Sequence, residues 1–144
     1  MIVLILILAI IVYLALFPLT GGKDESLKGA LYQMLEEIYE SLEEKEKYNK
    51  PTALKIILSN DLTRTENKRT IHLVVRNKSG QMYDRNTIHA ILIHEFTHIL
   101  SPEWLIDHHT DQFKALEQKL LESASQLGYL NSTAIDVNYP CKPE

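Results

Sequence analysis

The run His94-Glu95-Phe96-Thr97-His98 places two imidazoles four residues apart, with a carboxylate directly after the first. On a helix, side chains at this spacing project from one face about one turn apart, so His94 and His98 can bind the same metal ion. Glu95 is then placed to take a proton from a metal-bound water. This pattern is typical of zinc sites that activate water for hydrolysis.

A catalytic zinc takes three protein ligands, and a second histidine pair, His108-His109, supplies candidates for the third. A helix is predicted over residues 109–128, with Gly128 at its C-terminal end. Within it, His109 shares a narrow stripe with apolar residues: Phe113, Leu116, Leu120, Ala124 and Leu127. His108 points about 100° away from that stripe. His109 is therefore the predicted third ligand, and His108 and Glu117 are the alternatives.

The remaining histidines and the single cysteine are interpreted as structural or surface residues. His72 and His89 fit no ligand spacing. Cys141 has no second cysteine in the chain to pair with, so the fold cannot depend on an internal disulfide. It is interpreted as a thiol in the C-terminal tail. The competing interpretation, that His94 and His98 are two surface histidines on an amphipathic helix, is disfavoured by the second histidine pair.

The helix that must carry the motif is bounded by local signals on both sides. Asp84 or Asn86 can cap a helix that runs from about residue 85 to residue 100. Ser101-Pro102 then ends it. The motif lies toward the end of this helix, among apolar residues that can supply buried faces: Ile88, Ile91, Leu92, Ile99 and Leu100.

Upstream of the motif, the pattern predicts one amphipathic helix and two strands. Apolar residues recur every three or four positions over residues 24–48, namely Leu27, Leu31, Met34, Leu35, Ile38 and Leu42. Residues 52–59 and 70–76 are rich in β-branched and aliphatic side chains, which favours strands. Residues 60–69 between them are interpreted as a polar loop, and residues 77–80 as a turn.

The first 17 residues contain no charged side chain, and Pro18 and Gly21-Gly22 follow them. As a helix this segment is about 25 Å long, against a hydrocarbon core of about 30 Å, so it is predicted to be a membrane anchor. A cleavable signal peptide, which would yield a secreted protein, is the alternative. Lys23 and Lys28 follow the span, which favours a single-pass protein whose domain faces the cytosol.

The composition allows one small domain and argues against a nucleic-acid partner. The chain has 144 residues and a formal net charge of -4, so it has no global basic field to release counterions from a phosphate backbone. We expect an anchor over residues 1–20, a domain over residues 21–130 and a tail over residues 131–144. The oligomeric state is left open by the sequence.

The run from His94 to His98, followed by His109-Thr-Asp-Gln-Phe113, resembles the WLM and SprT-like group of zincin metallopeptidases. The motif of that group is His-Glu-x-x-His and then His-x-x-x-Phe, and the resemblance covers about residues 52–128. It implies that His94, His98 and His109 bind Zn²⁺ and that Glu95 is the general base. It also implies that Phe113 packs one helical turn after the third ligand.

The resemblance carries an expectation for fold and substrate as well. It implies an α+β chain: the anchor, then a zincin-like domain made of a helix, a short sheet, the motif helix and a C-terminal helix. The strand over residues 70–76 is expected to be the sheet edge along which a substrate pairs as an extra strand. The chain is also similar to short WLM-like proteins encoded by large DNA viruses.

The expected function is zinc-dependent hydrolysis of peptide bonds in a protein or peptide substrate, by Glu95-assisted attack of a zinc-bound water. The alternative is a membrane-tethered zincin-like module that binds zinc or a partner without turnover. Glu95 favours the enzyme, because a purely structural zinc site has no use for a general base beside an open coordination position.

Overall fold

Three helices and a three-stranded sheet form the fold in the computed structural model, which describes residues 21–43, 53–101 and 109–131. In chain order they are helix α1 (Gly21–Ser41), strands β1 (Lys55–Ser59), β2 (Arg64–Glu66) and β3 (Thr70–Val74), and helices α2 (Arg85–Leu100) and α3 (Asp111–Gln126). The domain is α+β, with a helix, a sheet, the motif helix and a last helix in the predicted order.

No membrane-spanning helix is found in the described part of the chain. The anchor over residues 1–20 lies outside the described residues, and none of the described helices is both long and apolar enough to cross a bilayer. Helix α1 has the length, at 21 residues, but it carries seven charged side chains: Lys23, Asp24, Glu25, Lys28, Glu36, Glu37 and Glu40. The prediction of a transmembrane helix in the fold and the prediction of a single-pass membrane protein are therefore wrong for the part of the chain that the structure describes.

Helix α1 is amphipathic, as its spacing predicts, but its ends differ from the prediction. It begins at Gly21 and ends at Ser41, whose hydroxyl donates to the Ile38 carbonyl over 2.5 Å. Its apolar stripe forms one side of the core, with Leu31, Met34, Leu35 and Ile38 all at most 1% exposed. The helix contacts β1 and both other helices through this stripe's side of the core.

The sheet has the strand order β1-β3-β2. Strand β1 pairs with β3 in parallel from Lys55↔Thr70 to Ser59↔Val74, and β2 pairs with β3 antiparallel. Two predictions were wrong here. The polar loop over residues 60–69 contains β2, and β3, which begins the strand predicted over residues 70–76, is central rather than an edge. Sheet order depends on pairing between distant segments, so the periodicity of one strand does not reveal it.

A tight turn joins β2 to β3 and holds β2 at the outside of the sheet. Asn67 and Lys68 both have positive φ, 52° and 51°, and the Arg69 N–H donates to the Glu66 carbonyl over 3.2 Å. Left-handed backbone at both central positions gives a turn whose twist matches that of the flanking strands. Asparagine adopts this conformation readily, whereas lysine does so at a cost.

Helix α2 has the predicted bounds, and the N-terminal cap is Asp84 rather than Asn86. The Asp84 carboxylate accepts hydrogen bonds from the Thr87 N–H over 3.0 Å and the Thr87 hydroxyl over 2.5 Å. These bonds to Thr87 lower the pKa of Asp84. Almost every residue from Ile88 to Leu100 is buried, because the helix packs against the sheet and against both other helices. The histidine motif thus lies in the most buried of the described helices.

Helix α3 begins later than predicted, at Asp111, after a cap formed by Thr110. The Phe113 N–H donates to the Thr110 hydroxyl oxygen over 3.2 Å. The helix ends as its glycine predicts: Gly128 has a φ of 82° and the Tyr129 N–H returns to the Ala124 carbonyl over 2.8 Å.

Tyr129, directly after this turn, ties all three helices together. Its carbonyl accepts a hydrogen bond from His89 Nδ1 on α2 over 2.8 Å. Its hydroxyl donates to the Glu37 carboxylate on α1 over 2.5 Å, and that bond lowers the pKa of Glu37. The relative placement of α1, α2 and α3 is therefore fixed near the end of the described chain.

Candidate metal centre

Three histidines converge where α2 meets the start of α3. One ligand atom from each of His94, His98 and His109 lies within 4.8 Å of the others. The ring centroids are 5.0 Å apart for His94 and His98, 4.9 Å for His94 and His109, and 5.3 Å for His98 and His109. Three imidazoles that each bind one tetrahedral zinc at about 2.0–2.1 Å have centroids about 5 Å apart. The three rings could therefore hold a single metal ion.

The cluster is buried on one side and reaches the surface on the other. His94 is 9% exposed, His98 is half-buried, and His109 is exposed. The two ligands on α2 are fixed by the packed helix, whereas His109 lies in extended chain just before α3. An ion held there would be reached by solvent from the His109 side.

His109 is the predicted residue, but the helical argument for it was wrong. It does not share a stripe with Phe113, because the helix starts at Asp111 and the chain at Thr110 is still extended. What brings His109 to the cluster is the capped turn into α3. The alternative His108 lies outside the described residues.

Phe113 lies against all three imidazoles. Its ring centroid is 5.3 Å from that of His94, 4.6 Å from that of His98 and 4.9 Å from that of His109. It is 1% exposed, so it closes one side of the triangle of rings with an apolar surface. This contact limits the directions in which the three side chains can rotate and excludes water from that side.

Glu117, the other predicted alternative, contacts a histidine of the cluster. Its Oε1 is 2.6 Å from His94 Nδ1. The other ring nitrogen, Nε2, is buried and makes no hydrogen bond within the described part of the chain. A carboxylate on Nδ1 fixes the tautomer and orientation of the ring and leaves Nε2 for a metal. Glu117 on α3 thus orients a candidate ligand on α2.

The environment lowers the pKa of two of the three imidazoles, those of His98 and His109. Burial lowers the pKa of His98 to about 3, and the neighbouring His94 and His109 rings and Lys68 add to the shift. Burial and His94 also lower the pKa of His109, against a smaller opposing effect from Glu117. A metal binds the neutral imidazole, so these two side chains need release no proton to bind one near neutral pH.

Glu95, between the two histidines on α2, is fully buried and is held by the sheet. Its side chain is 0% exposed. The Thr65 hydroxyl of β2 lies 2.7 Å from Glu95 Oε2 and 3.0 Å from the Glu95 carbonyl oxygen. A buried carboxylate needs hydrogen-bond donors, and the outer strand provides one.

Comparisons with known proteins find similarity to two viral proteins. The chain is 39% identical over 66 residues to uncharacterized protein 042R of Invertebrate iridescent virus 3, which covers 45% of this chain and 40% of that protein. It is 32% identical over 80 residues to uncharacterized protein 136R of Invertebrate iridescent virus 6, which covers 54% and 43%. The chain thus spans about two fifths of the length of these relatives. No family model and no solved structure matches it.

Two residues near the cluster were missed by sequence reasoning. Thr65 lay in a segment interpreted as loop, and the Thr-x-Thr alternation before the Asn67 turn was the available signal. Lys68 donates a hydrogen bond to the Ser101 carbonyl at the end of α2. No spacing in the sequence relates Lys68 to a helix 30 residues away, so its place beside His98 is visible only in the fold.

The histidines interpreted as structural lie outside the cluster. His72 on β3 is 2.8 Å from the Glu66 carboxylate, and His89 is bonded to the Tyr129 carbonyl. Burial lowers the pKa of His89 as well. The predicted tail with Cys141 lies outside the described residues.

The contact between Glu117 and His94 leads to a first prediction. Glu117→Gln removes the charge that favours the Nδ1–H tautomer, so zinc affinity should fall about 10- to 100-fold without loss of the site. Competition with a chromophoric chelator measures the zinc affinity of each variant. Glu122→Gln is the matched control, because Glu122 lies on the same helix and is exposed. Complete loss of zinc in Glu117→Gln would instead make Glu117 a ligand.

Proposed function

We propose that the chain is a zinc-dependent metallopeptidase that hydrolyses peptide bonds in a protein or peptide substrate. The observation that carries this proposal is the convergence of three imidazoles, two from α2 and one from the chain just before α3, at the separation that one tetrahedral ion requires. Helix α2 also holds Glu95. A general base next to a three-ligand site is the arrangement used by hydrolytic zinc enzymes.

The donor set supports zinc over the common hard cations. All three candidate ligands of the cluster are imidazoles, and imidazole nitrogen suits zinc and later transition metals. Calcium and magnesium prefer oxygen ligands, which this set does not contain. Three protein ligands leave a fourth tetrahedral position for water or substrate, as in catalytic rather than structural zinc sites.

Each residue of the site then has a definite role. His94, His98 and His109 hold the ion, and Glu117 fixes the ring of His94. When bound, zinc polarises the substrate carbonyl and lowers the pKa of a water at its open position. Glu95 would accept a proton from the attacking water as the water oxygen bonds to the carbonyl carbon. It would then deliver that proton to the leaving amine as the peptide C–N bond breaks.

Strand β2 is the proposed binding position of the substrate. It is one of the two described strands that flank β3, and its Thr65 contacts Glu95. An extended peptide that added to the side of β2 on which no described strand pairs would run past the general base with its backbone aligned by strand pairing. This mode requires an unfolded segment, so flexible proteins are the expected substrates.

Removal and return of the metal test the proposal. The full-length chain, stripped with a chelator and dialysed, should cleave a reduced and carboxymethylated protein no faster than background. One equivalent of zinc should restore cleavage, because the reaction needs the polarising ion. The control is magnesium at the same concentration, which should restore nothing. Zinc-loaded protein that cleaves no unfolded substrate would overturn the enzymatic function.

A further inference from the structure

The contact between Thr65 and Glu95 involves none of the three candidate metal ligands. Thr65 lies on β2, 30 residues before Glu95 in the chain, and its hydroxyl is 2.7 Å from Glu95 Oε2. Side chains alternate across a strand, so Arg64 and Glu66 point to the opposite face of the sheet while Thr65 faces α2. The pairing Thr65↔Ile71 fixes that orientation, since Ile71 is fully buried in the core.

The carboxylate is the stronger of the two acceptors available to this hydroxyl. A threonine hydroxyl has one proton to donate, and the Glu95 carbonyl oxygen is farther away, at 3.0 Å. The contact with the carboxylate oxygen, at 2.7 Å, is the shorter of the two. The Thr65 proton therefore belongs to Oε2, and it restricts rotation of the carboxylate about its terminal bond.

We propose that Thr65 is a positioning residue for peptide hydrolysis, which holds the Glu95 carboxylate in the orientation that accepts a proton from water. The inference rests on the proposed function. Thr65 keeps its own proton throughout, and only Glu95 gains and loses one. Thr65 lies on β2, so one hydrogen bond joins this strand to the Glu95 carboxylate. A displacement of β2 therefore displaces the carboxylate.

Three substitutions test this role in the full-length chain with zinc bound. Thr65→Val removes the hydroxyl and should lower kcat about 10- to 100-fold, with KM and zinc content unchanged, because a misplaced base slows only the proton transfer. Thr65→Ser keeps the hydroxyl and should restore kcat to within about threefold. Thr63→Val is the matched control, because the Thr63 hydroxyl oxygen accepts a hydrogen bond from the Val74 N–H of β3 over 3.0 Å. It should reduce stability while leaving kcat unchanged.

A double-mutant cycle separates positioning from stability. In the Glu95→Gln background, Thr65→Val should slow the residual reaction little further, because the group it positions is gone. Urea unfolding of the metal-free variants gives a readout independent of turnover, and it should show non-additive losses for the same pair. If Thr65→Val does not fold, Thr65→Ala against Thr65→Ser carries the comparison.

The outcomes distinguish the two proposals. Unchanged kcat in an active Thr65→Val, failure of serine to rescue, or an equal loss in Thr63→Val would overturn the role of Thr65 alone. Additive losses in urea would show that the two side chains do not interact. A zinc-loaded wild type without activity on the unfolded substrate would overturn the proposed function, and the role of Thr65 with it.

Discussion

His94→Ala and His98→Ala should each abolish stoichiometric zinc binding in the full-length chain. Both residues lie on the rigid helix α2 and belong to the only cluster of three metal-ligating side chains found among the described residues. Losing a ligand should cost more than the about 10- to 100-fold expected when an orienting partner is lost. Metal content after desalting, with circular dichroism to confirm folding, measures the effect.

The controls for this prediction use other histidines of the same chain. His72→Gln removes an imidazole from β3, outside the cluster, and should retain one zinc per chain. For the third ligand, His109→Ala should weaken zinc retention much more than His108→Ala. The reverse order would exclude His109 as the third ligand, and equal zinc in wild type and His98→Ala would remove the metal centre altogether.

Glu95→Gln should separate metal binding from catalysis. The substitution preserves size and leaves all three candidate ligands in place, so one zinc should bind as in wild type. The carboxylate that accepts the water proton is lost, and positioned acid–base catalysis is typically worth about 10² to 10⁴ in rate. Because the same group is proposed to protonate the leaving amine, cleavage of an unfolded protein should slow at least about a hundredfold.

Matched preparations of wild type and Glu95→Gln decide this prediction by metal analysis and a gel-based cleavage assay. Glu43→Gln is the control, since Glu43 is an exposed carboxylate just beyond α1, and its rate should equal that of wild type. Equal cleavage by Glu95→Gln would remove the role assigned to Glu95. Zinc-replete wild type without cleavage would favour a zinc-binding module that performs no turnover.

The parts of the fold that local signals determine were predictable. Helix α2 was predicted with its observed bounds, because Asp84 caps one end and Ser101-Pro102 ends the other. The end of α3 followed from Gly128, whose left-handed backbone closes the helix. The apolar stripe of α1 was also predicted from its spacing. The helix ends at Ser41, earlier than the predicted end at residue 48.

The parts that depend on distant contacts were not predictable. Strand β2 is three polar residues without apolar alternation, and it exists because β3 pairs with it and Thr65 reaches Glu95. The central position of β3 likewise follows from pairing on both sides. The N-terminal segment was interpreted through its length and its lack of charged side chains, and residues 1–20 lie outside the described part of the chain. No described helix is both long and apolar enough to cross a membrane.

The candidate site also has a part that the sequence predicted and a part that it did not. The His94 and His98 pair follows from helical spacing, which is local. His109 joins them through the Thr110 cap, and Glu117 reaches His94 across two packed helices. Chemistry at a helix face can thus be predicted from a single segment, whereas the groups that orient it come from segments that only the folded chain brings together.

The three histidines lie on two separate segments of the chain, so folding and metal binding are linked. Two lie on α2 and the third precedes α3, so the unfolded chain has no preformed site and an ion would bind only the docked arrangement. By mass action, each tenfold rise of free zinc above the dissociation constant would then add about 1.4 kcal/mol to the free energy of unfolding. The free zinc concentration would then set the fraction of chains in which α3 is docked.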